Sequence, residues 1–191
     1  RQKTLRQPNW IGNGQPYLEL YSAKKNKEGA FTSIEKFSKT INTKFHDADI
    51  AFSKDLKTIY FSRSNYFNKN YVKDTLGRNL IQLYKAVKGD NGEWFEKELP
   101  FNSKNYQTGH PTLNADETKL YFISDMPGGY GKTDVYVVDI YLDGTYGTPR
   151  NLGPKVNTKG REMFPVLLGN DDLFFSSDGF IHGQGGLDIF S

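Results

Sequence analysis

Apolar residues alternate with polar ones in short runs along most of the chain, and the runs are bounded by Asp, Asn and Gly. A period of two puts successive side chains on opposite faces, so the pattern predicts half-buried β-strands; no sustained helical spacing occurs. Three stretches repeat one internal order: HDADIAFSKDLKTIYFS at 46–62, HPTLNADETKLYFIS at 110–124 and MFPVLLGNDDLFFSS at 163–177. Each holds a short apolar strand, a polar turn with Asp, and a second strand ending in aromatics and Ser. Asp suits the turn because its carboxylate accepts nearby backbone N–H bonds.

A third strand follows each pair: LIQLYKA (80–86), DVYVVD (134–139) and LDIFS (187–191), with YLELYSA (17–23) as an earlier copy. With Tyr21, Tyr84, Tyr136 and Phe190 taken as equivalent, the copies lie 63, 52 and 54 residues apart. A weaker fourth strand comes next, at 30–37, 93–101 and 145–152. After it an Asn-Thr/Ser-Lys tripeptide recurs as Asn42-Thr43-Lys44, Asn102-Ser103-Lys104 and Asn157-Thr158-Lys159.

Four short strands per unit at a period near fifty predict an all-β fold, a β-propeller of four-stranded antiparallel blades. A sandwich with chance similarity would not repeat a multi-element order three times. Residues 17–37 form the end of one blade, 46–101 and 110–152 are full blades, and 163–191 is an incomplete one. Residues 1–16 carry no repeat and read as a preceding segment. The chain thus holds about three blades' worth, or about thirteen strands, starting and ending mid-blade. An open arc would expose blade faces and strand edges. The expectation is a piece of a longer protein, or missing blades supplied by another chain.

Composition narrows the function. The net charge of +3 arises from 25 basic and 22 acidic residues mixed along the chain, which does not point to nucleic acid. No apolar run approaches a membrane span. With no cysteine, disulfides and thiolate metal sites are excluded.

SDMPGGYGKTDVYVVD (124–139) and SSDGFIHGQGGLDIFS (176–191) resemble the Gly-rich, Asp-led element of periplasmic WD-like (TolB-type) propeller repeats. ELPFNSKNYQTGHPTLNADETKLYFISDMPGGYG (98–131) and NLGPKVNTKGREMFP (151–165) resemble more closely the propeller of Bacteroidetes OmpA-family proteins, of the PorE-like kind associated with type IX secretion. The resemblance spans roughly 17–191. It implies a periplasmic, outer-membrane-associated scaffold whose partner is an outer-membrane or secretion-machinery protein of PorP/SprF-like type. It implies peptidoglycan anchoring only through an OmpA-like domain that is not part of this sequence.

Strand direction puts the loops between blades and those between second and third strands on one end, and the tight turns on the other. The long loops 64–79, 126–133 and 178–186 carry Tyr66, Phe67, Tyr71, Tyr130, Phe180 and His182, the candidate partner-binding residues, because aromatics on loops of a rigid scaffold anchor partners. Gly128, Gly129, Gly185 and Gly186 could suggest phosphate cradles. A phosphate loop opens a helix, whereas these lead into strands. They read as structural, with Asp134 and Asp188 tying down loop backbone.

No metal-ligand spacing surrounds His46, His110 or His182, and no Gly-x-Ser-x-Gly elbow occurs. No catalytic residue, metal or cofactor is assigned. The enzymatic rival is a glycosidase with paired carboxylates. Asp55 and Asp116 lie in repeated turns, and Glu162 and Asp74 form no recognisable pair. A carbohydrate-binding propeller is the other alternative, weakly supported by Trp10 and Trp94. The expected function is a non-catalytic interaction scaffold.

Overall fold

The computed structural model describes residues 16–64, 66–67, 70–71, 73 and 77–191. The first unit is a two-stranded antiparallel sheet of β1 (Tyr21–Lys25) and β2 (Phe31–Lys36). The second unit, β3 (Asp47–Phe52), β4 (Thr58–Ser64), β7 (Ile81–Lys88) and β8 (Trp94–Glu98), pairs in chain order. Between β4 and β7 lies a short ribbon of β5 (Tyr66–Phe67) and β6 (Asn70–Tyr71). The third unit is β9 (Thr108–Leu113), β10 (Lys119–Ser124), β11 (Asp134–Asp139) and β12 (Arg150–Asn151). The fourth is β13 (Glu162–Leu168), β14 (Asp172–Ser177) and β15 (Asp188–Phe190). The chain is all-β, built from antiparallel sheets whose strands follow one another from inside to outside, as in propeller blades.

The apolar alternation explains how the blades stack. In β4, Ile59 and Phe61 share a face with Tyr84, Ala86 and Trp94 of the same sheet and pack with Ile41 and with Leu20 and Phe37 toward the first unit. Tyr60 points the other way, into a cluster with Leu83, Leu99, Leu120, Phe122, Tyr136 and Val138 of the second and third units. Each fully buried Leu or Phe contributes roughly 1.5–3 kcal/mol, so the interfaces between blades are the cores of the fold. Innermost strand β9 contacts both β3 and β13.

Three devices recur that sequence types do not advertise. First, the Asn of each tripeptide clasps the third strand of the blade it leaves. Asn42 accepts from the Leu20 N–H (2.9 Å) and donates to its carbonyl (2.8 Å). Asn102 does the same to Leu83 (3.2 and 2.7 Å), and Asn157 to Val135 (2.7 and 3.0 Å).

Second, each innermost strand carries a bulge whose central residue is left-handed: Asp49 (φ 52°), His110 (φ 50°) and Phe164 (φ 51°). None is Gly, so the surrounding ladder holds each in a conformation that L-residues disfavour.

Third, the turns of adjacent blades touch. The Lys54 N–H donates to the Glu117 carboxylate, and the Ala115 N–H donates to the Gly169 carbonyl (3.0 Å).

Two elements differ from the sequence expectation. The loop at 64–79 adds the β5–β6 ribbon, giving fifteen strands among the described residues. The fourth strand expected over 145–152 shrinks to Arg150–Asn151 plus an isolated Ile140–Tyr146 bridge, since Pro149 has no N–H to give a ladder.

Candidate interaction surface

Antiparallel order gathers the loops between blades and those between second and third strands at one end, the loop end. The tight turns form the opposite, turn end. At the loop end the Gly-rich segments are held from within. The Asp134 carboxylate accepts from the N–H groups of Tyr130 (2.5 Å) and Gly131 (3.1 Å) and from the Asn151 amide (2.8 Å). Asp188 accepts from Gln184 (2.7 Å) and Gly185 (3.3 Å). Gly128, Gly185 and Gly186 have φ of 94°, 107° and 77°, and a Cβ on Gly129 would fall 2.3 Å from the Asp134 carboxylate.

The six partner-binding candidates do not share one setting. Tyr130 is 50% exposed, and His182 is exposed. Phe180, expected to be exposed, is half-buried, with its ring 4.5 Å from that of Phe190 and 6.1 Å from that of Phe175. Its loop folds back and uses the ring to cover the fourth sheet. Tyr66, Phe67 and Tyr71 sit on the β5–β6 ribbon at the loop end, and their side chains lie outside the described residues. Beside them the sequence reading passed over Ile181, which is 95% exposed at the tip of its loop.

The loops of the third and fourth units form one continuous patch. A Cβ on Gly131 would sit 2.3 Å from the Thr158 carbonyl, and one on Gly160 would sit 2.4 Å from the Asp178 carboxylate. Arg161 closes this seam: its guanidinium pairs with Asp178 at 2.8 Å and its N–H donates to the same carboxylate at 2.6 Å.

The inner strands link side chains of three blades in a row. His110 Nε2 faces the Asp49 carboxylate at 3.4 Å. Its Nδ1 accepts the Phe164 N–H at 3.1 Å, and its ring stacks on Phe164 with centroids 4.2 Å apart. Burial pulls the His110 pKa below its ordinary value, against the opposing pull of Asp49. His46 is placed differently: it accepts from the Leu18 N–H, and burial lowers its pKa also. Sequence spacing aligned the two histidines, whereas the bulges align His110 with Asp49.

Most other chemistry-bearing groups inside the fold are engaged in holding it. Arg63 is fully buried and pairs with Asp47 (2.6 Å) and Glu96 (2.8 Å), donates to the Ile41 carbonyl (2.6 Å), and lies over the rings of Phe61 and Tyr84. Buried Glu162 accepts from Thr158 and from the Ser177 hydroxyl (2.7 Å). Asp55 and Asp116 close the turns, and hydrogen bonds led by the Ser53 and Thr118 hydroxyls hold both carboxyls below the usual range. Asp74 lies outside the described residues.

Two open cavities are also formed, the first of them partly by the loop-end residue Phe180. One of about 510 Å³ is lined by Val156, Phe175, Phe180 and Phe190. The other, about 520 Å³, is lined by Phe37, Phe52 and Trp94 with Lys39 and Glu93. Among the described residues no cluster of three His, Cys, Asp or Glu could hold a metal ion. No described helix is long and apolar enough to cross a membrane.

No family model and no curated protein matches the chain. Among solved structures, the crystal structure of TolB from Acinetobacter baumannii is similar over 85% of this chain and 35% of that chain, at 15% identity and a TM-score of 0.38. The chain thus spans about a third of the length of that protein.

Proposed function

We propose that these blades form a non-catalytic interaction platform that presents its loop end to a protein partner. The observation that carries this reading is the division of labour among the side chains. Asp47, Arg63, Asp134 and Glu162 are bonded into the scaffold, while Tyr130, Ile181 and His182 stand outward on loops the scaffold holds. Binding residues concentrate on loops of this kind.

The sequence resemblance supports placing the platform in the periplasm, in an outer-membrane-associated OmpA-family protein linked to type IX secretion or gliding. Its partner would be a PorP/SprF-like or related secretion component, and peptidoglycan would be gripped by a domain outside this chain. Affinity purification of the full-length protein with mass spectrometry tests this. The expected result is co-purification of an outer-membrane or secretion component, lost when Tyr130 and Ile181 are replaced by Ser. Capture of neither would sink the proposal.

The cavity lined by Phe37, Phe52 and Trp94 favours a second reading, a glycan-binding groove with polar groups at its rim. Calorimetry with peptidoglycan fragments, repeated on Phe52→Ala, distinguishes the two. Hydrolysis of such a glycan, abolished by one carboxylate substitution, would make the chain an enzyme and overturn the platform reading.

A further inference from the structure

The Asn-Thr/Ser-Lys tripeptide ends each time in an exposed lysine, of which Lys44 lies over the Phe45 ring at 5.4 Å. Asn42, Asn102 and Asn157 clasp the third strands. The hydroxyl residue bonds the following strand or its neighbour: Thr43 to Asp47, Thr158 to Glu162, and Ser103 through its N–H to Gln82. Lys44, Lys104 and Lys159 are exposed, and among the described residues none has an ion-pair partner. Each follows an Asn anchored to the equivalent strand position of its blade. The three lysines therefore occupy equivalent backbone positions at the loop end of their units.

Charge separates the two ends. At the loop end Lys73 and Lys132 are also exposed. Among the described residues the carboxylates of these loops are engaged: Asp178 with Arg161, Asp125 with the Gln107 N–H (2.7 Å), and Asp134 and Asp188 with their own loops. The turn end instead gathers Asp55, Asp90, Asp116, Asp143, Asp171 and Asp172 among its lysines. Apolar tips accompany the loop-end cations. Ile181 and Tyr130 rise from loops that abut the segment carrying Lys159, through the close approaches at Gly131 and Gly160.

We propose that the loop end docks on an anionic phospholipid surface. Lys44, Lys104 and Lys159 would meet headgroup phosphates while Ile181 and Tyr130 enter the interfacial layer. Exposed lysines at equivalent positions of three units spread positive charge over a wide face, which a bilayer meets at once and a single acidic peptide does not. Basic residues beside exposed apolar side chains are the combination that binds anionic interfaces. The inference rests on reading the loop end as the interaction surface, and adds a membrane to what that surface meets.

The test is co-sedimentation of the full chain with phosphatidylethanolamine–phosphatidylglycerol vesicles, against vesicles of phosphatidylcholine alone. Binding to the anionic vesicles that weakens with salt is expected. The variant Lys44→Glu/Lys104→Glu/Lys159→Glu should lose about two orders of magnitude in partitioning, at about five-fold or more per lysine. Ile181→Ser, at a site too exposed to affect folding, should weaken binding at unchanged salt dependence. A turn-end control, Lys27→Glu/Lys54→Glu/Lys57→Glu, should bind as the parent does.

Absence of binding to anionic vesicles overturns the proposal, as does equal loss in the turn-end control. Binding of a poly-glutamate probe without vesicle binding also overturns it, in favour of an acidic protein. Partner capture that survives while vesicle binding fails would refute the lipid surface and leave the platform reading standing.

Discussion

Replacing Arg63 by Met tests whether the second blade is held by a charge cluster sealed inside it. Arg63 and Asp47 both have side chains with no exposure, whereas Glu96 retains 30%. Met fills much of the aliphatic volume but leaves the Asp47 carboxylate buried with only its bonds from Thr43, and leaves the Ile41 carbonyl without its 2.6 Å donor. Glu96 can turn to water, so its share of the loss is small. Removing one partner of a buried pair costs about 3–5 kcal/mol, because the remaining charge stays desolvated. With a urea m-value of about 2 kcal/mol/M, the midpoint should fall by roughly 1.5–2.5 M at unchanged m. Tryptophan fluorescence can follow the transition, since Trp94 lies in the adjoining apolar cluster. Asp47→Val/Arg63→Met removes both charges and should recover part of the loss, leaving about 1–3 kcal/mol for the donors of Thr43 and the Ile41 carbonyl. A midpoint shift below about 0.5 M in Arg63→Met, or a double variant less stable than the single one, would refute the reasoning.

His110 makes stability depend on pH. Its Nδ1 accepts the Phe164 N–H, so protonation there removes that bond, and burial depresses the folded-state pKa below the unfolded value near 6.5. The stabilisation is full above pH of about 6.5 and is lost as pH falls toward the folded-state pKa, because the unfolded chain binds the proton more readily. His46 acts in the same direction. Denaturation midpoints between pH 7 and 5 should flatten in His46→Asn/His110→Asn, and an unchanged slope would count against this account. Asn157→Ala, at a buried site, should lower stability by about 1–3 kcal/mol by leaving the Val135 amide and carbonyl unpaired, which calorimetry would register. Gly131→Ala should be worse than Gly128→Ala. The first drives a methyl into backbone oxygens at 2.3 and 2.5 Å, and the second meets open space and costs only about 1–2 kcal/mol of left-handed strain. Equal thermal shifts would refute the close packing of the third and fourth units at this seam.

The blade plan was legible because apolar alternation marks which face of a strand is covered. Ile59 and Phe61 against Tyr60 is the pattern itself. The tripeptide was legible as a recurrence but not as a clasp, since an Asn side chain paired like a strand is invisible without the third strand beside it. The bulges left no trace. Left-handed residues are most clearly signalled by Gly or Asn, and here they are Asp49, His110 and Phe164; Asp and His enter that region more readily than most types, but Phe does not, so no shared type marks the position. Arg63 was passed over because a charge in an aromatic run reads as a solvent-facing position; only its partners, distant in sequence, explain its burial. At the loop end, the sequence marked Tyr66, Phe67 and Tyr71 as loop residues where the structure has the β5–β6 ribbon, and it could not tell that Phe180 turns inward.

The Asn clasp makes blade spacing independent of loop length. Each clasp fixes where the next innermost strand begins relative to the strand just left, whatever happens between second and third strands. The loop after β4 is several residues longer than the one after β10 and carries its own ribbon, yet Thr58–Ser64 pairs with Ile81–Val87 without interruption. The β5–β6 ribbon takes up part of the extra chain, at the end away from the turns. An engineer could therefore graft a peptide of different length between Ser64 and Leu80 and expect the neighbouring blades to keep their register.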